Sequence, residues 1–334
     1  MNHQTTSKRL ALKTLAISAI VAATFGATGI ANAQTKLKWA HVYETSEPYH
    51  KQAVWAADEI KKRTGGRYEV EVFPASSLGK ETEINQGLSL GTVDIIYTGM
   101  AFAGRAYPPM SIASAPFVFR DYAHWQSFRN GPVFKDITAA YAGKTGGQHI
   151  AGYTYYGLRH MTSNKVIAKP EDMKGLKLRV PDAPLFVMFP RAVGANPTPI
   201  AFAEVYLALQ NGTVDAQENP LPTIDAKKFY EVQKYITLTG HILESLVTIV
   251  AGPTWSKLND ADKKTFDTVL WEASNRASQD IVDAENKLVS EFEKRGKTVN
   301  KVDRAPFAAA VRGPLTAADA PWPRELFDRI QAIK

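Results

Sequence analysis

The chain contains no cysteine, which excludes disulfides, a thiol nucleophile and thiolate metal sites together. It also lacks the short catalytic signatures: there is no G-x-S-x-G elbow, no H-E-x-x-H, no phosphate-binding Walker loop and no G-x-G-x-x-G, so the motif evidence recommends no enzyme class. Beyond the first 33 residues the histidines are His41, His50, His124, His149, His160 and His241. They stand singly, which argues against a metal centre, and no cofactor is implied. Basic residues such as Lys61, Lys62 and Arg63 close a helix rather than interleave with aromatics, so a nucleic-acid stacking groove is absent too.

Long apolar runs are missing except at the start. "MNHQTTSKRLALK" supplies Lys8, Arg9 and Lys13, "TLAISAIVAATFGATGI" is apolar and small, and "ANA" ends at Ala33. That order of basic, apolar and small-x-small segments is a cleavable secretory signal, whereas a membrane anchor needs a longer and greasier span. Removing 1–33 takes three basic residues and no acidic one, so the formal charge falls from +7 to +4. The 334 residues are 45% hydrophobic, enough for a sizeable core and, by length, for two domains. Without disulfides, that core alone must hold an exported fold.

"LKWAHV" reads as a buried strand and "SEPYHKQAVWAADEIKKRTGG" as a helix, with Pro48 in the first turn and Gly65 at the stop. "YEVEVF" alternates as a second strand, and strand-helix-strand order builds parallel sheet. The tetrapeptide "GTVD" then occurs twice, at Gly91–Asp94 and Gly212–Asp215. Each copy follows a helix-like run and precedes a strand-like one, with glycine placed to end the helix. A chance tetrapeptide match is the alternative, but the shared helix-to-strand context argues for two α/β halves of similar construction. From about Asp260 to Arg295, Phe266, Leu270, Ala273, Ala277, Ile281, Ala284, Leu288 and Phe292 form one stripe. Such a helix runs roughly 50 Å, long enough to lie across both halves. A coiled coil is the alternative, but the Ala-rich stripe averages nearer 3.6 than 3.5.

The middle of the chain carries the chemistry. Arg159 and Arg179 both fall in strand-like segments, and "LKLRV" places Leu176, Leu178 and Val180 on one face with Lys177 and Arg179 on the other. A guanidinium on a sheet is placed to meet a partner, and its planar fork matches a carboxylate with two hydrogen bonds. That partner is either an internal acid or a ligand.

"GLRHMTSNKVIAKPEDMKGLKLRVPDAPLF" followed by "GANPTPIAFAEVYLALQNGTVDAQENP", with "FPASSLGKETEINQGLSLGTVDI" before them, resembles the solute-binding proteins of tripartite ATP-independent periplasmic (TRAP) transporters, the DctP family. The resemblance covers essentially all of the chain after the signal. It implies an α/β, two-lobed periplasmic binding protein fold (type II-like), with crossing strands, a long helix spanning both lobes, and a cleft that closes on an organic acid. The implied division is a signal peptide at 1–33, an N-terminal lobe of 34–156 plus 245–284, and a C-terminal lobe of 157–244 plus 285–334. It further implies that Arg179 makes the main salt bridge with a ligand carboxylate, joined by Arg159, Asn219 and Phe202. His41, Tyr43 and Tyr97 lie near strand ends of the first lobe and join them as candidates for the cleft wall. The expected ligand is a small organic acid of the C4-dicarboxylate or sugar-acid kind, with an aromatic acid as alternative. The expected partners are the integral membrane subunits of a TRAP transporter, the expected state a monomer and the expected location the periplasm. A binding protein for an ABC importer and a periplasmic enzyme are the competing classes.

Overall fold

The computed structural model describes residues 34–334, so the signal-peptide segment lies outside the described residues. Nine strands form one mixed sheet: β1 (Thr35–Ala40), β2 (Tyr68–Phe73), β3 (Ile95–Gly99), β4 (His149–Ser163), β5 (Lys177–Val180), β6 (Asn196–Pro199), β7 (Ala216–Pro220), β8 (Tyr235–Val250) and β9 (Thr298–Lys301). Their order is β2-β1-β3-β8-β4-β7-β5-β6, with β9 paired to β8. β4 and β8 have 15 and 16 residues, nearly three times the length of a typical strand of about 5–6, and that length serves two wings. β3 pairs with Leu246–Val250 of β8, and β7 pairs with Arg159–Ser163 of β4. The two α/β halves therefore hang from opposite ends of one antiparallel pair, the expected crossing strands.

The two GTVD corners do the same mechanical job. Gly91 and Gly212 end their helices with φ of +73° and +68°, the left-handed region where glycine carries no Cβ penalty. Each aspartate then staples the neighbouring parallel strand. The Asp94 N–H donates to Lys38 O at 3.1 Å while Oδ2 accepts the Lys38 N–H at 2.8 Å. The Asp215 N–H donates to Lys177 O at 2.9 Å while Oδ2 accepts the Lys177 N–H at 2.9 Å. The repeat in sequence is thus a repeat in register: each corner launches a strand, β3 or β7, whose far end reaches the same cavity.

The long helix runs Asp260–Lys294, 35 residues, or about 52 Å. Asn259 caps it, its side chain accepting from the Asp262 N–H at 2.9 Å. The expected stripe is buried from Phe266 to Phe292, with Val269 added and Ala284 only half-buried. Phe266, Leu270, Ala273 and Ile281 join the main core, whereas Leu288 and Phe292 join a smaller core with Val205, Leu209, Phe229 and Ile236. One helix thereby ties both cores.

Where that helix passes the bulge of β4, Glu285 accepts the Leu158 N–H through Oε1 (2.7 Å) and the Tyr155 hydroxyl through Oε2 (2.8 Å). Gly157 sits between them at φ +119°, and a Cβ there would lie 2.8 Å from Glu285 Oε1 and 2.8 Å from Pro220 Cβ. Gly157→Ala is expected to cost roughly 1–3 kcal/mol from backbone strain alone, with the clash adding to it. A urea titration of the variant checks this.

Candidate ligand-binding site

A narrow cleft opens where the wings meet. Five of the seven expected residues line it: Tyr43, Arg159, Arg179, Phe202 and Asn219. β5 carries Arg179, β4 carries Arg159 and β7 carries Asn219. Phe202 stands just before the helix Val205–Gln210, and Tyr43 follows β1. The rings of Tyr43, Tyr156 and Phe202 form one aromatic wall, with centroids 5.4 Å apart for Tyr43–Tyr156 and 6.1 Å for Tyr43–Phe202.

The other two candidates, Tyr97 and His41, are not among the lining residues. The Tyr97 ring is fully buried against Trp39, centroids 5.0 Å apart. β3 is covered on both faces, so alternation did not aim this ring at the cavity, and Gly99 at the strand end lines it instead. His41 stands behind the wall: its Nδ1 accepts the Tyr43 N–H at 3.2 Å, and its Nε2 meets His50 Nδ1 at 3.2 Å.

The two arginines differ. Arg159 is paired inside the protein: Nε and Nη2 both donate to the Glu218 carboxylate, the latter at 2.8 Å, and Nη2 also reaches Glu218 O and Asn219 Oδ1. Burial alone would raise the Glu218 carboxyl, but Arg159 and His241, whose Nε2 lies 3.3 Å away, outweigh it and bring it down to about 2. Among the described residues Arg179 has no acidic partner. Its Nε and Nη2 donate to the backbone oxygen of Ile200 at 3.0 and 2.7 Å, and Nη1 is buried with no protein partner. Burial lowers its pKa to about 10, so it stays charged at neutral pH, oriented by one carbonyl and short of a counter-ion.

Three acids at this site escaped sequence reading. Glu218 adjoins Asn219 in "QENP", Glu81 reads as a helix-start charge, and Glu244 is the lone acid in the apolar run "HILESLVTIV"; that isolation is the signal that was available. Glu81 lines the cavity, and its Oε1 accepts from the Thr98 hydroxyl (2.8 Å) and the Gly99 N–H (3.0 Å). Burial pushes its carboxyl up against those bonds. Glu244 Oε1 accepts from the Ser114 hydroxyl (2.5 Å) and the Ser245 N–H (3.0 Å), and burial raises that carboxyl to about 7. With Arg159 matched to Glu218, the cavity presents one uncompensated cation beside two acids whose carboxyls burial pushes up. Among the described residues no cluster suits a metal ion.

Burial sets the pH profile of the fold. It raises Glu47, Glu244 and Glu285 to about 7 and lowers His41 and His160 to about 3. The raised acids contribute stability that is complete below their unfolded pKa and lost as pH rises through 7. The depressed histidines contribute stability that is present above their unfolded pKa and lost as pH falls. Because the three raised acids outnumber the two depressed histidines where their windows overlap, stability is expected to peak between about pH 4 and 5, falling toward pH 7 on one side and toward pH 3 on the other, and urea midpoints measured across the range test it.

The chain matches the family model of the bacterial extracellular solute-binding proteins, family 7 (DctP), over residues 39–317. It is 35% identical over 306 residues to a solute-binding protein of Roseobacter denitrificans, spanning 92% of this chain and 93% of that one. It is 34% identical over 301 residues to the sialic acid-binding periplasmic protein SiaP of Vibrio cholerae, spanning 90% and 94%. The crystal structure of a TRAP periplasmic solute-binding protein from Polaromonas sp. JS666, bound to D-erythronate, superposes with a TM-score of 0.86 at 35% identity, covering 90% of this chain and 99% of that one. That of the Roseobacter protein, with L-galactonate bound, gives 0.83 at 32%, covering 89% and 98%. These neighbours are two-lobed binding proteins rather than enzymes. Among the described residues no helix is long and apolar enough to cross a membrane. The sheet of two wings, the cleft and the matched length agree: this protein belongs to the DctP family of bacterial extracellular solute-binding proteins, the solute receptors of TRAP transport.

Proposed function

We propose that this protein is a periplasmic, monomeric receptor that binds a small sugar acid through an Arg179–carboxylate salt bridge and delivers it to TRAP membrane subunits. The observation that carries the reading is Arg179, a buried guanidinium whose hydrogen bonds, among the described residues, all go to one carbonyl. An unpaired buried cation is costly, and a carboxylate relieves that cost. Because Glu218 already neutralises Arg159, the site has charge for one carboxylate and favours a monoacid over a dicarboxylate. The polar groups of Glu81, Glu244 and Asn219 suit hydroxyls, and the relatives with D-erythronate and L-galactonate bound carry that chemistry. A thermal-shift screen of aldonic and uronic acids against the parent neutral sugars tests it. A ligand at 100 times its dissociation constant adds about 2.7 kcal/mol, and neutral sugars that shift the protein as much as the acids would sink the reading.

Closure would bring together a lobe of 34–156 with 245–284 and a lobe of 157–244 with 285–334, hinged on β4 and β8. Contacts between these two sets of residues support it: Lys80–Glu204 at 2.8 Å, Arg105–Asp182 at 3.3 Å and Lys227–Glu44 at 2.7 Å, with the Thr223 hydroxyl donating to Glu47 at 2.8 Å. The first two pairs are exposed, and such pairs contribute about 0–1 kcal/mol each. The double variant Lys80→Ala, Arg105→Ala is expected to weaken ligand binding by no more than ~10-fold. Titrations at low and high salt should show it less salt-sensitive than the parent.

A further inference from the structure

We propose that Glu244 is the specificity-determining residue of the cavity, its Oε2 bonding a hydroxyl group of the ligand while Arg179 holds the carboxylate. The inference rests on the sugar-acid reading above and assigns the residue that separates a hydroxylated acid from a plain one.

Among the described residues, two cavity-lining side chains hold a buried polar atom with no protein partner: Arg179 at Nη1 and Glu244 at Oε2. Both residues are 1% exposed, so neither atom belongs to a solvated surface. A buried polar atom left unpaired is costly, and such atoms are regularly matched by whatever the site binds. The cation calls for an anion. The carboxyl calls for a group that can accept its proton or donate to it, and a hydroxyl does either, whereas a methylene or an aromatic edge does neither.

An ammonium group would also suit an ionised Glu244, but Arg159 is the charge acting most strongly on this carboxyl. With Arg179 in the same cavity, a ligand cation would face two guanidinium groups. Burial, which favours the neutral carboxyl, points the same way. Glu244 lies opposite Gly157 in the β4–β8 register. Its other oxygen is fixed by Ser114 and Ser245, so Oε2 is oriented before any ligand arrives.

The test is calorimetric titration of the full protein and of Glu244→Leu and Glu244→Gln with D-erythronate and L-galactonate, each compared with the unhydroxylated acid of equal length, butanoate or hexanoate. The parent is expected to prefer the hydroxylated acid. In Glu244→Leu that preference should shrink at least ~10-fold through loss on the hydroxylated side, the usual scale for one unmatched buried hydrogen bond. Should the leucine variant fail to fold, Glu244→Gln keeps volume and, with its carbonyl oxygen in the place of Oε1, turns the donor-only NH2 group toward the cavity, and a preference lowered at least ~3-fold is expected there. A ratio unchanged in the folded variants, or no preference in the parent, overturns the role of Glu244 while leaving Arg179 and its carboxylate untouched. An amino acid preferred by the parent and lost in the leucine variant overturns the hydroxyl assignment. A parent that binds no acid at all overturns the sugar-acid reading itself.

Discussion

Arg179→Ala is expected to abolish acid binding while leaving the fold as stable as the parent or more so. The two halves of that result have one cause. In the free protein the guanidinium is buried against a carbonyl with one donor unmatched, an arrangement that burdens the fold rather than supports it. Removing it relieves that burden, so the urea midpoint should hold or rise. In the complex the same group meets a desolvated carboxylate, and truncating one partner of such a pair costs roughly 2–5 kcal/mol, or about 30- to 3,000-fold in affinity. Arg179→Lys separates charge from shape. A lysine keeps the positive charge but loses the planar fork and its pair of hydrogen bonds to Ile200 O, so it should recover only part of the affinity. Calorimetric titration with a bound sugar acid reads both variants. An alanine variant with the parent's affinity would remove Arg179 from the site, and one that loses affinity only because it unfolds would show in the urea curve.

Much of this architecture was legible in the sequence because it is written in local periods. The stripe from Phe266 to Phe292 predicts the long helix, and two glycines before two aspartates predict two equivalent corners. Arg179 was legible because an alternating strand placed it opposite an apolar face. What local pattern could not supply was the partner of each buried charge. Glu218 and Arg159 are 59 residues apart in the chain, and they meet only because β7 pairs with β4 in a register that sets Glu218 across from Met161. An acid read in isolation defaults to a solvated surface, which is how Glu81 and Glu218 escaped notice. Tyr97 failed for the opposite reason: every residue of β3 is buried, so period-two alternation has no wet face to distinguish from a dry one. His41 lies one step away from the wall it supports, a distance below what strand-end reasoning resolves.

Glu218→Leu is expected to destabilise the protein by roughly 3–5 kcal/mol, the usual cost of leaving one member of a buried ion pair alone. The pair here is 3% and 2% exposed at its side chains, and its loss strands Arg159 among Tyr156, Phe186 and the Arg179 charge. His241 loses its carboxylate at the same time and is left stacked on Phe189. The double variant Arg159→Met, Glu218→Leu removes both charges and should recover most of the loss, because two apolar groups of similar volume need no counter-ion. Ligand binding divides the explanations further. In Glu218→Leu the cavity holds two uncompensated guanidinium groups, so a diacid such as succinate should gain affinity relative to a monoacid and restore part of the stability by mass action. A diacid preference appearing in that variant and absent from the parent would show that Glu218, by occupying Arg159, is what limits this site to one carboxylate. No change in preference would mean that Arg159 does not face the ligand even when it is free.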